Sequence, residues 1–149
     1  MSLFDQISKD IVSAMKAQDK VSLAALRNVK KYFIEAKTAP GANDTLTDDA
    51  ALKIIQKLIK QGEESAQIYT EQNRKDLADE EMAQVKVIEV YLPKQMTPEE
   101  LEAALKEIIQ QVGATSQKDM GKVMGVASKQ LAGKAQGKDI STKVRELLA

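Results

Sequence analysis

The amino-acid sequence predicts an all-α protein built from several amphipathic helices. Apolar residues recur at steps of three and four along almost the whole chain, and no segment fits a strand better than a helix. Of the 149 residues, 43% are hydrophobic and 30% are charged, a balance typical of a globular chain. Breaks in the periodicity divide the chain into two parts. We therefore expect an N-terminal four-helix subdomain, residues 1–96, and a C-terminal three-helix subdomain, residues 97–149.

Four helices are expected in the N-terminal subdomain. Asp19 can cap the second helix, and the segment 38–44, with its proline–glycine pair, predicts a loop. The segment 45–48 offers caps for the third helix, and Pro93 requires the fourth to end at or before Leu92. The buried faces, in chain order, are expected at Phe4, Ile7, Ile11 and Met15; at Leu23, Leu26, Val29 and Phe33; at Leu52, Ile55, Ile59, Gly62, Ala66 and Tyr69; and at Ala78, Met82, Val85, Ile88 and Leu92.

The C-terminal subdomain opens on the clearest local signal in the sequence. Thr97 can cap the fifth helix, Pro98 occupies its first position, and Glu100 completes a capping box. Gly113 suits a left-handed C-terminal cap, and Ser116 is expected to start the sixth helix. The buried faces of the last three helices are expected at Leu101, Leu105, Ile108, Ile109 and Val112; at Met120, Val123, Met124, Ala127 and Leu131; and at Ile140, Val144, Leu147 and Leu148.

The residue types that the chain lacks limit its chemistry. There is no Cys and no His, which removes thiol catalysis, disulfides, Cys/His zinc sites and histidine acid–base chemistry. The acidic run 79–81 suits the positive end of a helix dipole better than a metal site, and no phosphate-binding P-loop motif is present. No apolar run reaches membrane-spanning length, and no signal-peptide core follows Met1. We expect no catalytic residues, no metal, no cofactor, no membrane association and a cytoplasmic location.

Positive charge is concentrated near the C-terminus, although the 22 basic and 22 acidic residues balance overall. Between Gln117 and Arg145, Asp119 and Asp139 are the only acidic residues. The preceding segment, 97–116, is acidic instead. A wholly basic binding protein is therefore excluded, whereas a local basic surface is not. The basic residues of the C-terminal stretch are Lys118, Lys122, Lys129, Lys134, Lys138, Lys143 and Arg145.

Helical geometry predicts where the lysines of the sixth helix lie. With a step of about 100° per residue, its apolar side chains span about −60° to +40°, and Lys118, Lys122 and Lys129 lie directly opposite. Gly121 and Gly125 fall beside the lysines, although glycine inside a helix costs roughly 1 kcal/mol relative to alanine. These five residues form what we call the glycine–lysine strip. Either a neighbouring helix packs closely on the glycines, or a phosphodiester backbone approaches them; the two can also hold together.

Two further stretches carry a resemblance to a known family. One runs from Tyr69 to Gln95 and contains N-R-K-D-L-A and Y-L-P-K-Q; the other is D-M-G-K-V-M-G from Asp119, followed by G-K-A-Q-G-K from Gly133. Together they closely resemble the GatB/YqeY family. Its members are small free-standing bacterial proteins similar to the helical tail of the B subunit of glutamine-dependent tRNA amidotransferase. The family often has glycine where this chain has Asn73, a residue that tolerates the same left-handed turn.

The resemblance implies an all-helical protein with a larger N-terminal helical subdomain and a small three-helix C-terminal one. In the amidotransferase the matching tail contacts tRNA, and the catalytic parts lie elsewhere in that enzyme. The family label of amidotransferase thus describes kinship more than an activity.

Our leading hypothesis is a non-catalytic module that docks tRNA or another structured RNA. The alternative is a protein–protein adaptor that uses the glycine-bearing helix face. A carbon–nitrogen ligase that acts alone, with glutamine as amido donor, ranks last. The expected RNA-binding residues are Lys118, Gly121, Lys122, Gly125, Lys129, Lys134, Lys138 and Lys143.

Overall fold

The computed structural model describes all 149 residues and contains helices but no strand. The all-α prediction is confirmed. The chain forms two compact units, Met1–Leu92 and Pro93–Ala149, which we call the N-terminal and C-terminal units. None of the helices combines the length and the apolar character that a membrane-spanning segment needs. The helices are α1 (Leu3–Lys16), α2 (Lys20–Lys37), α3 (Asp48–Glu71), α4 (Lys75–Glu89), α5 (Pro98–Val112), α6 (Met120–Gln130) and α7 (Gly137–Leu148), with a 3₁₀ turn at Gln117–Asp119.

The core of the N-terminal unit lies among all four of its helices. Phe33 of α2, Ile7 of α1 and Ile55 of α3 are fully buried there, together with Val85 of α4. The α3–α4 pair makes the most extensive helix contact in the chain. Removal of this apolar surface from water stabilises the unit, because burying one such side chain contributes about 1.5–3 kcal/mol.

The expected face of α1 needs one correction. Met15 is 52% exposed, and Ala14 is buried in its place. Ala14 follows Ile7 and Ile11 at spacings of seven and three residues, which keeps it on their side of the helix. Met15 lies about 100° from Ala14, on the other flank of the same face, so periodicity alone does not choose between the two residues.

The C-terminal unit is a three-helix arrangement in which α5, α6 and α7 all contact one another. Leu105, Val123 and Val144, one from each helix, are fully buried at its centre. The capping box at Thr97 is present, and Gly113 has the left-handed φ of 70° that ends α5. Local capping signals therefore set both ends of α5 as expected.

Candidate nucleic-acid interface

The glycines of α6 lie on an open face of the helix. Gly121 and Gly125 are exposed, as are Lys122 and Lys129. A Cβ atom added at either glycine would meet no atom within 4 Å beyond its neighbours in α6. Neither α5 nor α7 packs closely on these two glycines.

Lys118 does not belong to that helical face. Ser116 is the N-cap of the helical segment, as expected, but its first turn, Gln117–Asp119, is 3₁₀ and α6 begins at Met120. The 100° step therefore does not apply to Lys118, although its side chain is exposed.

Asp119 places one negative charge at the start of the strip. Its carboxylate accepts a hydrogen bond from the backbone N–H of Thr115 at 2.9 Å and a longer one from Ser116 at 3.4 Å. The bond from Thr115 contributes most to holding the pKa of Asp119 below its ordinary value, and the charge of Lys122 adds to the effect. Asp119 therefore secures the turn before α6 while it partly balances the nearest lysine.

The structure brings three other predicted lysines together. Lys134, Lys138 and Lys143 line one open groove of about 580 Å³ at the start of α7, which we call the lysine groove. The remaining lysines of the predicted site do not line it. Other residues that line the groove are the apolar Met96, Pro98 and Leu101, the polar Gln95, Gln136 and Thr142, and the acidic Asp139.

Gln95 fixes the turn that carries Lys134, a role that helical periodicity gave no means of detecting. Its side-chain Nε2 donates to the carbonyl oxygen of Gly133 at 2.6 Å, and the N–H of Met96 donates to the carbonyl of Lys134 at 2.9 Å. Gly133 has a φ of 77°, which a residue with a Cβ rarely adopts. Two neighbouring residues therefore hold the lysine-bearing turn from the side of α5.

The three lysines of the groove are not equivalent. Lys143 makes an ion pair with Glu146 at 3.2 Å and exposes only 27% of its side chain. Lys134 and Lys138 are exposed and make no ion pair. These two lysines therefore offer the groove's unpaired positive charges, with Asp139 as the acidic residue of its lining.

Similarity to known proteins identifies the family. A family profile described as Yqey-like protein matches residues 4–148. The chain belongs to the YqeY-like family. The resemblance seen in the sequence is confirmed, and the match includes both helical units and every residue of the predicted site.

Two relatives of this YqeY-like chain carry the name "Altered inheritance of mitochondria protein 41, mitochondrial". The protein from Pyrenophora tritici-repentis is 26% identical over 146 residues, which cover 96% of this chain and 79% of the relative. The protein from Vanderwaltozyma polyspora is 32% identical over 110 residues, which cover 69% of this chain and 56% of the relative.

Asn73 stands where the family often has glycine, before the arginine of N-R-K-D-L-A, in the turn between α3 and α4. Asn73 has a φ of 60°, in the left-handed region that asparagine tolerates. Arg74, which follows, pairs through two nitrogens with the carboxylate of Asp76 at 3.1 and 3.2 Å. The left-handed backbone that asparagine was expected to tolerate is therefore present at this position.

Proposed function

We propose that the C-terminal unit is a docking module for structured RNA, with tRNA as the first candidate. The open face at Gly121 and Gly125 carries this proposal, because a Cβ placed on either glycine has open space around it and Lys122 and Lys129 lie exposed on the same helix. A glycine face lets a phosphodiester backbone come closer to the helix than side chains would allow. The two lysines would then neutralise phosphates.

The distribution of charge supports one orientation for the RNA. Exposed glutamates, among them Glu99 and Glu107, lie on α5, whereas exposed lysines lie on α6 and at the start of α7. A polyanion would therefore be repelled from α5 and attracted to the strip and the lysine groove. Because the chain as a whole is neutral, binding should be modest and salt-sensitive.

A double charge reversal tests this proposal. Lys122→Glu with Lys129→Glu should weaken tRNA binding strongly and flatten its salt dependence by roughly one unit per lost phosphate contact. Folding should change by no more than about 0.5 kcal/mol, because both side chains are exposed. The matched control is Lys53→Glu with Lys60→Glu on α3, which alters net charge equally on exposed positions of the N-terminal unit. Fluorescence anisotropy across a salt series measures both; equal binding by the two variants would refute RNA docking at the strip.

The same open glycines favour one second candidate, a protein adaptor. Small residues four apart on a helix let a partner helix pack closely, so Gly125→Leu should abolish either kind of docking while leaving the fold intact. The lysine reversal distinguishes the two candidates: an adaptor would lose its partner in Gly125→Leu and keep it in the Lys122/Lys129 variant.

The proposal assigns no catalytic step to this chain. Purified protein incubated with glutamine, ATP and misacylated Glu-tRNA or Asp-tRNA should form no amidated product. The support is the absence of Cys and His from the sequence. Amide transfer by the purified chain would direct attention to its serine and lysine residues.

A further inference from the structure

A second concave site lies in the N-terminal unit, between α2, α3 and α4. It is a cleft of about 190 Å³ that contains Gly62 of α3. Helices α3 and α4 approach closely here, because a Cβ on Gly62 would lie only 2.6 Å from the Cγ2 atom of Val85. The polar side chains that line the cleft are those of Asn28, Tyr32, Gln61, Ser65, Glu81 and Gln84. We call it the amide cleft, after its three amide side chains.

Glu81 is an unusual carboxylate in this chain. Four acidic side chains are partly buried, and the other three have partners: Asp10 accepts a hydrogen bond from Tyr91, Glu102 pairs with Lys106, and Asp119 accepts backbone N–H groups. Glu81 makes no hydrogen bond and no ion pair. Its Oε2 atom lies 3.9 Å from the position of a Cβ on Gly62, which places the charge within the cleft.

The other polar groups of the cleft are also free to bind. The side chains of Asn28, Gln61, Ser65 and Gln84 form no hydrogen bond within the chain, so three amide groups and one hydroxyl line the cleft together with the Glu81 carboxylate. No lysine or arginine lines the cleft. Lys31 holds its ammonium 5.2 Å from the ring centroid of Tyr32 but is not itself a lining residue.

We propose that the amide cleft binds a guanidinium group. A guanidinium presents five N–H donors in one plane and no acceptor, and a carboxylate can take two of them side by side. The Glu81 carboxylate would supply the charge, and the amide oxygens of Asn28, Gln61 and Gln84 would accept remaining donors. The cleft is smaller than the 300–1,000 Å³ typical of drug-sized ligand sites, which suits one such group rather than a nucleotide. This assignment does not depend on RNA docking, which concerns the other unit.

The test is a titration of the isotope-labelled protein with agmatine, a linear compound that carries a guanidinium at one end and an ammonium at the other. The side-chain NH₂ resonances of Asn28, Gln61 and Gln84 should shift saturably in ¹⁵N–¹H correlation spectra. The uncharged analogue N-butylurea and butylamine, which has an ammonium but no guanidinium, should leave them in place. Glu81→Gln keeps the shape of the side chain and removes its charge, so it should weaken agmatine binding about tenfold or more. Glu80→Gln, one residue away on the exposed side of α4, is the matched control and should bind like the parent.

A capped tripeptide with a central arginine identifies the source of the guanidinium. Shifts with both the peptide and agmatine support a site for an arginine side chain of a partner protein. Shifts with agmatine alone support a site for a free small molecule. Absence of saturable shifts with both ligands, an equal response to butylurea or to butylamine, or unchanged affinity in Glu81→Gln would overturn the proposal.

Discussion

Replacing Gly62 by alanine should destabilise the N-terminal unit, whereas the same replacement at Gly125 should stabilise the C-terminal unit. At Gly62 the new Cβ would lie 2.6 Å from Val85 Cγ2, roughly 1 Å inside the usual carbon–carbon distance of about 3.5–4.0 Å. Val85 is 3% exposed, and a valine side chain is stiff, so the contact is relieved by moving α3 and α4 apart. At Gly125 the new methyl group meets nothing.

The expected magnitudes follow from two opposing effects. Alanine improves helix propensity by roughly 1 kcal/mol at either site. Overpacking at Gly62 costs about 1–3 kcal/mol, so the net change there is a loss of up to about 2 kcal/mol. At Gly125 the propensity gain stands alone. The difference between the two variants therefore isolates the overpacking cost.

Denaturant unfolding can follow each unit by its own signal. Tyr32, Tyr69 and Tyr91 all lie in the N-terminal unit and the chain has no Trp, so tyrosine fluorescence reports on that unit. Circular dichroism reports on the helices of both units. A higher fluorescence midpoint for Gly62→Ala than for the parent would refute the packing argument.

A second variant ties the penalty to one contact. Val85→Ala removes the methyl group that the new Cβ would strike, at its own cost in buried surface. In that background Gly62→Ala should cost little folding stability or even increase it. A double-mutant cycle measures this coupling. An undiminished penalty would mean that another part of the α3–α4 contact resists the change.

Three further predictions concern hydrogen bonds. Burial, and then the hydrogen bond to Asp10, raise the pKa of Tyr91. Its contribution to folding stability should therefore be complete below the ordinary pKa of 10.0 and be lost as the pH rises through the folded-state pKa. Tyr91→Phe should flatten this alkaline decline in the urea unfolding midpoint. The hydrogen bond from the backbone N–H of Thr97 lowers the pKa of Glu100. The contribution of Glu100 to folding stability should therefore be present above the ordinary pKa of 4.5 and be lost as the pH falls through the folded-state pKa. Glu100→Gln should remove this acid-dependent loss of stability, as followed by circular dichroism. Gln95→Ala should speed amide exchange in the turn after α6, and unchanged exchange would show that the backbone bond from Met96 suffices.

Elements with strong local signals were predictable from the sequence. The capping box at Thr97, the cap at Asp19 and the left-handed Gly113 each depend on a few neighbouring residues, and all three are present. The predictions departed from the structure where two local alternatives suit the sequence almost equally well. Met15 and Ala14 both suit a helix face, and residues 117–119 satisfy a 3₁₀ turn as well as a first α-helical turn.

The candidate sites were predictable only in part. The sequence located the lysines, but Lys134, Lys138 and Lys143 meet in one groove only because the turn before α7 folds back onto Gln95 and Met96. The amide cleft had no signal at all. Its polar residues come from three helices and look, one by one, like ordinary solvated positions.

The helical class, the family and the residue types open to chemistry follow from the amino-acid sequence, because composition, periodicity and short motifs are properties of neighbours in the chain. The role of each glycine, in contrast, depends on what the folded chain places next to it. Gly62 and Gly125 both lie within amphipathic helices. Gly62 packs against Val85, whereas Gly125 faces open space. The reason is physical: helix propensity depends on a residue and its nearest turns, whereas the room for a single methyl group depends on side chains brought there by another helix.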